Sequence, residues 1–227
     1  MASAFLIGAA FAGESSAAGD SAATRLLASA LQDASAKGSV HEVGVAVSGR
    51  QKVTIVDDIA THEGRQDVNH YGNEQAQVLV VNGTAYLSGN RAALTGYFGF
   101  TASAAHKIGT RWVSVPRANR NYAELSVGLT LASALSQLAP PAPLSETAPT
   151  TIDGQSVIGI RGTPPKQAGA VASSILYVSR SPHPLPVRLS VSVTTNASTV
   201  SSTVDLSVWG EHVSVTPPSD VVPMSST

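Results

Sequence analysis

Val78-Leu-Val-Val-Asn-Gly-Thr-Ala-Tyr-Leu-Ser-Gly89 is the stretch whose reading decides the fold. Asn82-Gly83 tolerates the positive φ that both central positions of a tight hairpin turn demand, and is the strongest hairpin signal in the chain. A two-residue loop sets Val80 opposite Ala85 and Val78 opposite Leu87 on one face, with Leu79 opposite Tyr86 on the other. Both faces of the hairpin are therefore apolar. A sheet with one face in water would not require that, so the hairpin is covered on both sides or borders a cavity.

Upstream, Val43, Val45 and Val47 alternate with Gly44, Ala46 and Ser48; after a turn at Gly49-Arg50 the period of two returns in Val53, Ile55 and Ile59. These are two antiparallel strands. Gly64 to His70 reads as a third, polar and solvent-facing strand. Before them, Leu27, Leu31 and Ala34 at i, i+4 and i+7, with Gly38 as C-cap, predict a helix from Ser21 that lies on the sheet.

Downstream, Asn90 is an N-cap for a short helix carrying Leu94, Tyr97 and Phe98. Arg111 to Val115 returns to strand and Pro116 ends it, while Leu131, Leu135 and Leu138 form a helical stripe that stops at Pro140-Pro141. Ala139 to Thr150, with Pro140, Pro141, Pro143 and Pro149, reads as a stiff surface connection or a hinge. Strands follow at Thr151 to Asp153, Val157 to Gly162, Ser173 to Ser179, Val187 to Thr194 and Ser202 to Trp209. About ten short strands and about three helices predict an α+β fold, a strongly curved antiparallel sheet wrapped over the helices. Residues 22–215 make one domain on this reading, and 216–227 a disordered C-terminal tail.

The bulk composition narrows the function. Charged residues are 13% of the 227, against roughly 25% in ordinary soluble proteins, which suits an exported β-rich protein better than a cytoplasmic enzyme. A formal charge of -1 without any Lys/Arg cluster leaves no electrostatic footprint for nucleic acid or an anionic membrane surface. The absence of cysteine removes disulfides, thiolate metal sites and cysteine nucleophiles together.

No Gly-x-Ser-x-Gly elbow, Walker loop or dinucleotide glycine pattern occurs. His62-Glu63 lacks the second histidine a zincin helix requires, His70 lying too far along. Asp57-Asp58 would point to opposite faces of a strand and reads as a solvated turn. His41, His106, His183 and His212 stand singly, and the sequons at Asn82 and Asn196 carry no functional weight. No enzyme, catalytic residue, metal or cofactor is expected.

Met1 to Gly13 is an apolar run too short to span a bilayer and resembles the end of a signal-peptide core. Phe11-Ala-Gly-Glu-Ser-Ser16 looks like a bacterial lipobox with Glu14 where the lipidated cysteine would stand. A fortuitous Ala/Gly/Ser-rich leader is the other reading. Residues 1–21 are assigned as signal-peptide remnant and flexible tether. Without the cysteine, the protein is a soluble secreted form or an altered version of a tethered one.

The order of these features resembles the LppX/LprA/LprF/LprG group of mycobacterial envelope lipoproteins, and through them LolA-like carriers. The resemblance rests on the Val78–Gly89 hairpin, the short helix ending Tyr97-Phe98, and Arg111-Trp-Val-Ser-Val-Pro116. It continues through the Leu131–Leu138 helix, the Ile152-Asp-Gly154 turn and Pro184-Leu-Pro-Val-Arg-Leu189, over about residues 22–212.

It implies a half-barrel with an apolar cavity that holds an acylated lipid or glycolipid in the actinobacterial envelope, for transport or transfer. An envelope transporter or acceptor protein would be a further partner, and the carrier a monomer. The missing cysteine puts membrane anchoring, but not the fold, in doubt.

A carrier needs cavity and no polar constellation, since each buried methylene is worth roughly 0.8 kcal/mol. The candidate lining is Val45, Val53, Ile55, Val78, Val80, Leu87, Leu94, Phe98, Leu131, Leu135, Leu189, Val191 and Leu206. The alternative is a non-carrier envelope sensor or protein-interaction module on the same scaffold, marked by a groove filled with the protein's own side chains.

Overall fold

Asn82 and Gly83 take φ of 53° and 70°, so the turn has the double positive φ of a type I′ hairpin. It closes with Val81 paired to Thr84, and Val78, Leu79 and Val80 meet Leu87, Tyr86 and Ala85 in the register expected from the loop length. The inner residues Val78, Val80, Ala85 and Leu87 are almost fully buried, and Leu79 and Val81 on the other face are buried too. The hairpin is thus a central piece of the sheet.

The computed structural model describes residues 21–164 and 170–224. In chain order these form α1 (Ala22–Lys37), β1 (Ser39–Ser48), β2 (Gln51–Ala60), β3 (Gly64–His70), β4 (Glu74–Val81), β5 (Thr84–Gly89), α2 (Arg91–Thr95), α3 (Ala102–Ile108), β6 (Trp112–Pro116), α4 (Tyr122–Ser126) and α5 (Leu131–Gln137). The second half contributes β7 (Leu144–Glu146), β8 (Thr150–Ile152), β9 (Gln155–Gly162), β10 (Ala170–Ser179), β11 (Pro186–Thr195), β12 (Thr199–Ser207) and β13 (Val221–Pro223). Residues 1–20, with the leader and Glu14, lie outside the described residues.

All thirteen strands join one sheet in the order β13-β6-β5-β4-β3-β2-β1-β12-β11-β10-β9-β7, with β8 also on β9. The fold is α+β: a large, curved, open and mostly antiparallel sheet with few helices. Three features differ from expectation. The 216–227 tail is not disordered throughout, because Val221–Pro223 pairs in parallel with Trp112–Ser114 of β6. The proline-rich 139–150 segment is a sheet edge, not a hinge: β7 pairs with β9, and a Cβ added at Gly162 would stand 2.5 Å from the Pro141 carbonyl oxygen. Asp57 and Asp58 sit inside β2, not in a solvated turn.

The ladders define an inner face, which carries the helices. One row across it runs Val40, Ile59, Gly64, Val80, Ala85 and Val115. A Cβ on Gly64 would fall 2.5 Å from the carbonyl oxygen of Leu129, so only glycine lets the segment before α5 lie directly on β3.

Two main core clusters follow. Under α1 and α5, Ala23, Ala30 and Ala34 pack with Val40, Ile59, Ile160, Leu176, Val178 and Leu206, flanked by Leu27 and Leu31. Under α2 and α3, Val78, Val80, Ala85 and Leu87 pack with Leu94, Ile108, Val113 and Val115.

Candidate functional site: a cavity under the short helices

The second row of the inner face runs Leu206, Glu42, Asp57, Gln66, Val78, Leu87 and Val113. At its β4–β6 end the covering layer stands off the sheet. Asn90 accepts the Ala93 N–H at 2.8 Å and starts α2; the Phe100 N–H then bonds Leu94 O at 2.9 Å, and Thr101 caps α3 by accepting the Ala104 N–H at 3.2 Å. These local bonds hold Phe98 and Phe100 between two helices too short to fill the space beneath them.

The result is a cavity of about 790 Å³, within the usual range of ligand sites. Val53, Ile55, Val78, Leu87 and Val113 form its sheet wall, while Phe98, Phe100, Ile108 and Leu125 close it from the helix side. Val222, Pro223 and Met224 of the C-terminal segment complete it. That segment is held by the Trp112 N–H on Asp220 O at 3.0 Å and its own Met224 N–H on Ser114 O at 2.9 Å.

Five predicted lining residues therefore meet at the cavity: Val53, Ile55, Val78, Leu87 and Phe98. Val80 and Leu94 are packed in the adjoining solid core. Leu131, Leu135 and Leu206 belong to the cluster under α1 and α5, with Leu189 packed against it. Val191 is half-buried between Ser174 and Ser202. Val45 is on the outer face, paired with Thr54 and Thr203, because its neighbour Ala46 takes the inward position opposite Val53.

Sequence reasoning missed the contributions of α3, α4 and β13. Phe98-Gly-Phe100-Thr101 and Val221-Val-Pro-Met224 were the available signals: apolar side chains beside a cap residue, and an apolar run in a polar tail.

Polar groups occupy part of the wall: Gln66, His70, Tyr97, Lys107 and Glu124. His70 Nδ1 lies 2.5 Å from Glu74 Oε2, both side chains largely buried, and the His70 ring meets Tyr97 in a tilted contact, 5.5 Å between centroids. Burial, then the nearby Asp57 and Glu124 carboxylates, push the Tyr97 hydroxyl upward from its ordinary value, so it remains a proton-bearing donor at neutral pH.

Glu42 and Asp57 stand opposite each other on β1 and β2, and Glu42 Oε1 and Asp57 Oδ1 are buried without a hydrogen-bond partner. Burial pushes the Glu42 carboxyl up to about 7. Burial first, then the Glu42 charge, raises Asp57 well above the carboxylate range, against the opposing hydrogen bond from Gln66. The next residue behaves differently: Asp58 faces outward, 2.7 Å from His41 and 2.5 Å from Arg65, in a partly exposed ion-pair network.

Among the described residues no helix is long and apolar enough to cross a membrane. No protein-family model matches the chain, and no curated protein matches it. Among solved structures it is similar to an uncharacterized conserved protein from Thermus thermophilus, with 11% identity over 90% of this chain and 100% of that one, at a TM-score of 0.47. It is also similar to a putative outer membrane lipoprotein-sorting protein domain from Vibrio parahaemolyticus, with 10% identity over 82% of this chain and 92% of that one, at a TM-score of 0.28. Both scores are too low for either likeness to bear on function.

Proposed function

We propose that the protein shelters the acyl chain of a lipid or glycolipid in the cavity under α2, α3 and α4, as a carrier that does no chemistry on its cargo. The observation that carries this reading is the cavity itself, about 790 Å³ walled largely by Val, Leu, Ile, Phe and Met side chains. Sheltering about eight methylenes would contribute roughly 6 kcal/mol before ordering costs are subtracted, enough for a useful affinity without specific polar contacts. A sensor on the same scaffold would be expected to fill its groove with its own side chains, and this cavity is not so filled.

The finer reading is a LolA-like half-barrel of the LppX/LprG kind, exported to the cell envelope. It is supported by the ordered motifs between residues 22 and 212 and by the low charge content.

The test is native mass spectrometry of protein purified from an actinobacterial host, followed by acyl-lipid uptake after delipidation. Co-purified lipid and uptake are expected. Ala104→Trp, which projects bulk into the cavity from α3, should abolish uptake while circular dichroism is unchanged. Protein that neither carries nor takes up acyl lipid overturns the proposal.

A further inference from the structure

The cavity stops where the second inner row turns acidic. Along β2, Ile55 lines the cavity and Ile59, four residues on, is sealed in the core at 0% exposure; Asp57 lies between them with partial exposure. Gln66, beside it on β3, reaches both places, forming cavity wall and hydrogen-bonding the Asp57 carboxyl. Glu42 stands behind Asp57, 9% exposed, its other neighbour in the row being Leu206 of the α1/α5 core.

A buried carboxyl beside a half-buried one is costly unless a cation or a full set of donors meets them. Neither is supplied here. The charged groups acting on Asp57 are Glu42, Asp58 and Asp67, all acidic, and an oxygen of each inner carboxyl lacks any donor. His70 is engaged with Glu74, and Lys107, the cavity's cation on α3, is not among the groups that act on either carboxyl. Neither carboxyl is part of the cavity wall, which stops at their neighbours Ile55 and Gln66; just beyond that end, two uncompensated acceptors are complementary to the compact cationic head of a molecule whose hydrocarbon chain lies in the cavity.

We propose that the Glu42–Asp57 pair receives the ammonium head of an amine-bearing amphiphile whose hydrocarbon chain occupies the cavity. The inference rests on the lipid-sheltering reading and specifies its ligand class. Binding draws the proton from the pair and replaces it with the ligand's charge, so affinity rises with pH as long as the amine stays protonated. Tyr97, Lys107 and Glu124 on the helix side and His70, paired with Glu74, on the sheet are the other titratable groups facing the cavity. They stay unchanged in the variants that probe the pair.

The experiment is calorimetric titration of the delipidated full chain with dodecylamine, dodecanol and dodecanoate, each below its micelle concentration, at pH 5.5 and pH 8. Dodecylamine should bind about tenfold tighter than dodecanol at pH 8, with the preference shrinking at pH 5.5. The double variant Glu42→Gln, Asp57→Asn should lose the preference and keep its dodecanol affinity; if the double variant does not fold, Glu42→Gln alone should reduce the preference.

Equal binding of amine and alcohol overturns this inference and leaves the cavity reading intact. So does preference for dodecanoate, which would assign the head to Lys107. Failure of all three ligands to bind overturns the carrier reading as well.

Discussion

Glu42→Gln should make stability less dependent on pH, and the size of the effect follows from where the carboxyl sits. In the unfolded chain Glu42 ionises near 4.5 and in the folded protein near 7, because burial removes water from the charged form. A carboxyl whose folded value is raised binds its proton more tightly in the native state. Its contribution is therefore fully present below about pH 4.5 and is lost as pH rises through about 7. At about pH 8.5 both states are ionised, and holding the charge in the folded protein costs about 3 kcal/mol.

Glutamine of the same shape carries no charge at any of these pH values. Its amide N–H₂ stands beside Asp57 Oδ1, an acceptor without a donor, so the substitution adds no pH-dependent cost of its own. The variant should thus be no more stable than the parent at pH 4 and more stable at pH 8.5, the advantage opening between about pH 4.5 and pH 7. Urea unfolding at both pH values, with the m-value checked for constancy, reads the difference directly. Parallel pH profiles for parent and variant would refute the reasoning, since they would mean that Glu42 is hydrated or charge-paired in solution.

Gly64→Ala should destabilise by about 2 kcal/mol, because the new methyl collides with the Leu129 carbonyl oxygen, 2.5 Å away, and the segment before α5 must lift from β3; a thermal shift reads it. Leu176→Ala, at a fully buried position of the α1/α5 core, should cost about 3 kcal/mol in urea unfolding and leave acyl uptake unchanged at temperatures where the protein is folded. Deleting residues 221–227 removes Val222, Pro223 and Met224 from the cavity wall. Acyl affinity should then fall by about tenfold or more with the far-ultraviolet spectrum nearly unchanged, and undiminished uptake would show that the C-terminal segment is no part of the site.

Much of the architecture was legible because it is written in local rules. The hairpin register follows from a two-residue turn, α1 from a stripe ending at a glycine with φ of 83°, and α2 from an asparagine whose side chain caps it. The elements that escaped, β7, β13, α3 and α4, are all three to seven residues long. Such segments owe their conformation to a partner and carry too few residues to display a period. Apolarity marks burial but does not distinguish solid core from cavity wall. Leu94 and Leu87 look alike in sequence, yet Leu94 packs into the core and Leu87 faces the void.

The sequence by itself determined the α+β character, the pairing of the central hairpin and the absence of a nucleic-acid-binding charge pattern, since each depends on neighbours within a few residues or on composition. Only the tertiary structure decided that Val45 turns outward, that the C-terminal segment closes a cavity, and that Glu42 and Asp57, fifteen positions apart in the chain, share one inward-facing row. Those facts depend on which strands become neighbours and on where the covering layer fails to touch the sheet. Both are set by the packing of the whole chain.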